Sequence, residues 1–197
     1  MPGTPNAIDL ITLSDAKAWI STAMPGATVD DLVIQSCITG VSQYVITQTG
    51  RLCLSDIKSF TDRYDGNGND LLLLRQYPIV TIQSLTVGTQ TIAQSPDYVQ
   101  TGWAINSTKT GIVLLGGCSR FCKGRMNVGI SWTAGYNGAP YDLQQAVMEI
   151  VAQDYARRST VDSASIIIPQ GGTTTFRAWA IPPKAQSVIL SYKRPWP

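Results

Sequence analysis

The chain has 197 residues, room for one domain of ordinary size or one domain carrying an insertion. Its 44% hydrophobic content is enough for a core and argues against global disorder, while a net charge of +2 is too small to argue for nucleic-acid binding, the dense basic runs being Arg120–Arg125 and Lys193-Arg194, each read as a solvated turn. It contains no histidine, so the commonest general base, triad partner and transition-metal ligand is missing. Charged residues make up 14%, low against the usual quarter or so, which points to area buried against other subunits. Small polar residues (Thr, Ser, Gln) are another route to solubility.

Residues through about 56 read as helical. Thr12 or Ser14 caps a first helix running to Ser21, with Ala16, Trp19 and Ile20 on one side and Trp19 expected in the core. Pro25-Gly26 breaks it, and Thr28 opens a longer helix with Asp30 and Asp31 in the first turn. Val29, Val33, Ile34, Cys37, Ile38, Val41 and Val45 recur at helical spacing, and Gly50 suits a left-handed cap.

From about 57 to 136 the period changes to that of strands. Asp65-Gly66-Asn67-Gly68 lies between Lys58–Tyr64 and Leu71–Leu74, which reads as a hairpin. Pro78 should sit at a strand start or edge, before the β-branched stretch Ile79–Val87. Further strands are predicted at Gly111–Leu115 and Asn127–Thr133, the second alternating Val128, Ile130 and Trp132 against polar neighbours. The expected product is a small antiparallel sheet or barrel.

Helical periodicity then returns. Pro140 and Asp142 mark a helix start, Leu143, Ala146, Val147, Ile150, Val151 and Tyr155 form its stripe, and Arg157 and Arg158 close it. Residues 159–181 look irregular apart from the β-prone Ile166-Ile167-Ile168, and Pro182-Pro183 opens a short helix over Lys184–Tyr192. Neither helical zone is large enough for a good core alone. The expected fold is therefore α+β: a helical bundle with a C-terminal arm from residues 1–56 and 137–197, and an inserted antiparallel β domain at 57–136.

No catalytic residues, cofactor or metal site are expected from the sequence. Glu149, the one glutamate, lies mid-helix at the boundary of the stripe, and most Asp residues sit at helix starts or in turns. Asp62, Asp65, Asn67, Asn69 and Asp70 superficially suggest a calcium loop, yet the twelfth position counted from Asp65 is Gln76 where an EF-hand needs Glu. Gly116–Arg125 fails as a phosphate loop because Lys123 is not followed by Ser or Thr. Cys37, Cys53, Cys118 and Cys122 read as reduced thiols: Cys37 falls on an apolar stripe, and Cys118 to Cys122 lacks zinc-type spacing. A carboxylate-dependent hydrolase would make Asp62 and Asp70 the first pair to test. Met1–Pro5 has no signal-peptide character and no apolar run reaches membrane-spanning length, so synthesis and folding in a cytoplasm are expected, without membrane contact.

Several segments in order carry a resemblance. They are Asp9–Lys17, Asp30-Asp31, Asp62–Gly68 with Leu71–Leu74 and Tyr77-Pro78, then Gly111–Leu115, Ser131–Tyr136 and Pro140–Val147. Together they resemble the phage head–tail connector (adaptor) family, the gp6-like group of long-tailed phages and gene transfer agents, over roughly residues 9–158. The resemblance implies a non-enzymatic virion protein at the head–tail interface, made in the host cytoplasm. Its partners would be other copies in a ring, usually of twelve, the portal protein, and the next connector, stopper or tail component. Double-stranded DNA would pass through the lumen without specific binding. The alternative is another virion or tail component, such as a stopper or a baseplate binding module.

Family members commonly grip the portal with a C-terminal segment. Here that makes Ile166, Ile167, Ile168, Trp179, Ile181, Tyr192 and Trp196 the candidate portal-docking residues, with Ile166–Ile168 either adding a strand to a partner's sheet or pairing internally. Truncation after Arg158 is expected to leave a folded body that no longer binds the portal.

Overall fold

A computed structural model describes residues 5–23, 30–116, 120–158, 165–168, 172–175 and 181–193, with backbone alone at 23, 165–168 and 172–175. The chain divides into two compact units, one of residues 1–50 with 139–197 and one of residues 51–138. The architecture is the expected α+β class, with a helical unit built from both ends of the chain.

In the helical unit, α1 spans Leu13–Ala23, α2 Asp31–Thr49, α3 Tyr141–Arg157 and α4 Pro183–Ser191. Thr12 caps α1: its Oγ1 accepts from the Asp15 backbone N–H at 3.2 Å and donates to the Asp15 carboxylate at 2.6 Å. Helix α2 starts later than the sequence suggests. Asp30 stands outside it in extended conformation, and its carboxylate accepts from the N–H groups of Leu32 and Val33. A carboxylate satisfies two orphan amides best from the cap position, so Asp30 caps the helix rather than entering its first turn. Gly50 ends α2 in the left-handed region (φ 67°), its N–H donating to the Ile46 carbonyl.

The core of this unit follows the predicted stripes. Ile34, Ile38, Val41 and Val45 are buried on α2, and Leu143, Ala146, Val147, Ile150, Val151 and Tyr155 on α3, against which α1, α2 and α4 all pack. Trp19 departs from expectation: Ala16 and Ile20 occupy the buried face of α1, and Trp19 stays 37% exposed at its flank. Helix α4 belongs to the body, because Ala185 and Ile189 are buried. Truncation after Arg158 would expose the surfaces they cover, so the expectation of an intact body after that cut is withdrawn.

The second unit holds two antiparallel sheets. Strands β1 (Lys58–Gly66), β3 (Ile79–Val87), β4 (Gln90–Thr91) and β7 (Gly124–Ala134) form one in the order β1-β7-β3-β4. Strands β2 (Leu71–Leu73), β5 (Gly102–Ile105) and β6 (Gly111–Leu115) form the other in the order β2-β6-β5. The expected hairpin between Lys58–Tyr64 and Leu71–Leu74 is absent: β1 pairs with β7, β2 with β6, and the two lie in different sheets. The long β7 offers the better partner, since pairing with it sets Phe60 and Tyr64 beside Trp132 at ring separations of 5.5 and 6.1 Å. Asp65–Gly68 instead turns a corner. Asn67 accepts from the Asn69 N–H and donates to the Leu71 carbonyl, while the Gly68 N–H reaches Phe121.

The two sheets share one core around Trp132, Leu85, Ile112, Phe121 and Val128. At its margin Arg51 is buried with its guanidinium 4.0 Å from the Tyr77 ring centroid and donating to the Tyr77 carbonyl. A third, two-stranded sheet pairs β8 (Ser165–Ile168) with β9 (Gly172–Thr175).

Candidate interaction surfaces

Helices α1 and α3 carry a second stripe each, beside the one that enters the core. Asp15, Ala18, Trp19 and Thr22 recur on α1, and Tyr141, Gln144 and Met148 on α3. These rows face each other across an open, mainly apolar groove of about 700 Å³. Tyr141, at the first turn of α3, is 88% exposed. The sequence reading missed Tyr141 and Met148, although their spacing was a usable signal. The larger core stripe of the same helix masks it.

Helix α4 is fastened to the first turn of α3. The Tyr192 hydroxyl donates to the Asp142 carboxylate at 2.7 and 2.9 Å, tying the end of α4 to the first turn of α3. A second set of polar contacts, exposed at Asn6 and buried at Ser42, pins the segment before α1. The Asp9 carboxylate accepts from the Asn6 N–H (2.8 Å), the buried Gln35 amide (2.7 Å) and the Thr39 hydroxyl (3.0 Å), and the Leu10 N–H donates to Ser42. The Asp30 N–H donates to the Tyr155 hydroxyl at 3.0 Å. These bonds tie the segment before α1 to α2, and the start of α2 to the last turn of α3.

Of the candidate portal-docking residues, Ile166, Ile167 and Ile168 lie together on β8, in register with Thr174, Thr173 and Gly172. The internal pairing of this segment is therefore present. Ile181 is half-buried just before α4, and Tyr192 is half-buried with its hydroxyl on Asp142. Trp179 and Trp196 lie outside the described residues.

In the β unit a groove of about 690 Å³ is lined by Ile79, Val80, Tyr98, Ile105 and Val113 among others, with Tyr98 67% exposed. Asp97 shapes the adjoining loop. Its carboxylate accepts from the N–H groups of Gln100 (2.9 Å) and Val99 (3.1 Å), which hold its carboxyl below the usual carboxylate range.

The residues weighed for chemistry have local structural duties. Asp65 accepts from the Met126 N–H at 2.6 Å, and Asn67 shapes the corner. Cys53 is buried and Cys37 half-buried; burial pushes both thiols up, with Asp154 adding to the effect at Cys37. Cys122 is exposed, and Cys118 lies outside the described residues. Among the described residues no three His, Cys, Asp or Glu side chains cluster as a metal site would require, and no helix is long and apolar enough to cross a membrane.

Comparison with known proteins turns these surfaces into a question of assembly. The family model described as "Head completion protein" matches residues 9–195, spanning both units. The chain belongs to the head completion protein family. The resemblance drawn from the ordered motifs is thus borne out, with a match extending beyond α3 through α4. None of the curated proteins matches the sequence significantly.

Among solved structures, a chain of the "Neck of empty GTA particle computed with C6 symmetry" is similar at TM-score 0.57 and 19% identity, over 93% of this chain and 89% of that one. A chain of the "Virion of native gene transfer agent (GTA) particle" gives 0.56 and 16%, over 98% and 94%. A chain of the "Neck of native GTA particle computed with C12 symmetry" gives 0.51 and 18%, over 94% and 93%. At these identities the similarity is one of fold. Membership of the head completion family makes the role structural.

Proposed function

We propose that this head completion protein is a head–tail connector subunit that forms a ring under the capsid portal, extends the DNA channel and docks the next connector or tail component. The observation that carries the proposal is the family match across residues 9–195, which takes in the helical unit, the β unit and α4. Similar folds in particle necks computed with six- and twelve-fold symmetry support a ring, with twelve subunits the expected number. A low-charge surface and a net charge of +2 suit a channel that lets double-stranded DNA pass without gripping it. The role needs no catalysis and no cofactor, and its place is the head–tail interface of the virion.

Within this reading residues 57–136 are an insertion between the two halves of a helical bundle, 1–56 and 137–197. The portal-docking set remains Ile166, Ile167, Ile168, Trp179, Ile181, Tyr192 and Trp196, with β8 presenting an edge for strand addition beyond its pairing with β9. Because α4 is part of the folded body, the test replaces Ile166–Ile168 with Thr rather than cutting the chain. Imaging of particles carrying the protein should show a ring directly below the portal, and the triple Thr variant should be lost from it. A position further down the tail would refute the connector reading and favour a stopper or baseplate module. A ring that the Thr variant still enters would refute the docking assignment alone.

A further inference from the structure

Asparagine or aspartate followed by glycine is a chemically labile linkage, because glycine has no Cβ to keep its nitrogen away from the preceding side-chain carbonyl. The chain has three such pairs: Asp65-Gly66, Asn67-Gly68 and Asn137-Gly138. The fold treats them differently.

The first two are held at the corner after β1. The Asp65 carboxylate accepts from the Met126 N–H at 2.6 Å, and the Gly66 N–H donates to the Asn127 side chain at 2.8 Å. The Asn67 side chain accepts from the Asn69 N–H and donates to the Leu71 carbonyl, while the Gly68 N–H donates to the Phe121 carbonyl at 2.7 Å. In both pairs the nitrogen that would attack and the side chain it would attack are already engaged. Asn137-Gly138 is the opposite case. It lies where the β unit ends and the chain returns to the helical unit. Both residues are exposed, and among the described residues neither the Asn137 amide nor the Gly138 N–H has a hydrogen-bond partner. A Cβ at Gly138 would meet nothing within 4 Å, so the backbone there is open.

We propose that Asn137-Gly138 is a site of spontaneous deamidation that the fold leaves open while it protects the other two pairs. The Gly138 nitrogen gives up its proton to water or hydroxide and attacks Asn137 Cγ. The new N–Cγ bond closes a succinimide, the Cγ–Nδ2 bond breaks, and Nδ2 takes a proton from water and leaves as ammonia. Water then opens the ring. Addition at the main-chain carbonyl gives isoaspartate, with one extra methylene in the main chain, and addition at Cγ gives aspartate. Either product carries a new carboxylate and lowers the net charge of +2 by one unit. Since neither residue gives up a hydrogen bond, the modified chain stays folded and accumulates. No enzyme is needed, and a particle that cannot remake its subunits keeps the change.

The test incubates the full-length protein at mildly alkaline pH in water enriched in heavy oxygen, which marks each hydrolysis as it occurs. Trypsin separates the sites, residues 64–75 carrying Asp65 and Asn67 and residues 126–157 carrying Asn137, and electron-transfer fragmentation tells isoaspartate from aspartate. The hydrogen bonds that must break before Asn67 reacts set an expected rate at Asn137 roughly tenfold or more above it. In concentrated urea the two asparagines should converge, and Asn137→Gln should remove the product from its peptide. Equal rates in the folded protein, an unconverted Asn137, or a difference that persists in urea would overturn the proposal. Neither portal nor ring is present, so the outcome is independent of the connector reading.

Discussion

Trp132 offers the sharpest test of how the β unit is held together. It lies on β7 with no exposed surface, packs beside Phe60 and Tyr64, and donates from its indole N–H to the Gln76 carbonyl at 3.3 Å. Trp132→Ala removes the ring from a closed site and leaves that carbonyl without its indole donor. Truncations of buried tryptophan cost about 3–5 kcal/mol, and loss of a buried hydrogen bond adds on the order of 1 kcal/mol. Trp132→Phe keeps an aromatic ring beside Phe60 and Tyr64 and should cost about 1–2 kcal/mol. Native-state hydrogen exchange read on peptides of β3 and β7 reports on this unit separately from the helices. Opening should become about a thousandfold to twenty-thousandfold more frequent in the alanine variant and about tenfold in the phenylalanine variant. If exchange of β7 in Trp132→Ala changes by less than threefold, the two sheets do not share the core described above.

Three further outcomes are expected. Asp9→Ala removes the acceptor shared by Asn6, Gln35 and Thr39 and leaves a buried amide unsatisfied, so thermal melting should show a loss of about 2 kcal/mol, mostly recovered in Asp9→Asn. Gly135→Ala places a Cβ at φ 131° against the Asp56 and Cys53 carbonyls, so it should destabilise the β unit by about 3 kcal/mol, and a soluble, normally melting variant would contradict that geometry. Burial raises the Cys37 and Cys53 thiols above their ordinary 9.0, so at pH 8 a thiol-alkylating reagent followed by mass spectrometry should label exposed Cys122 well before either. The sign of the linked stability follows: a raised folded value favours the protonated native state, so this contribution is full below pH 9.0 and fades as pH rises toward the folded values.

Periodicity and caps carried much of the fold. The α3 stripe from Leu143 to Tyr155 is buried as its spacing implied, because a long amphipathic helix has one way to hide that face. Val128, Ile130 and Trp132 alternate inward on β7 for the same reason at the strand period. The short strands β4, β5 and β9 were not legible, and β1 and β2 were wrongly paired, since neighbouring strands of similar pattern do not name their partners. Partner choice rests on long-range packing around Trp132, which no local window contains. Trp19 shows the same limit: its spacing allowed either the core or the flank of α1, and only the packing of Ala16 and Ile20 decided it.

By itself the sequence determined that the chain has a helical frame interrupted by strands, that histidine chemistry is excluded, and which ordered motifs place it near the connectors. These are properties of composition and local period, written residue by residue. Tertiary structure decided what distant residues do together: that α4 belongs to the body, that β1 joins β7, and that α1 and α3 leave an open, mainly apolar groove between them. Such surfaces arise where two elements meet, and their meeting is set by the packing of the whole core.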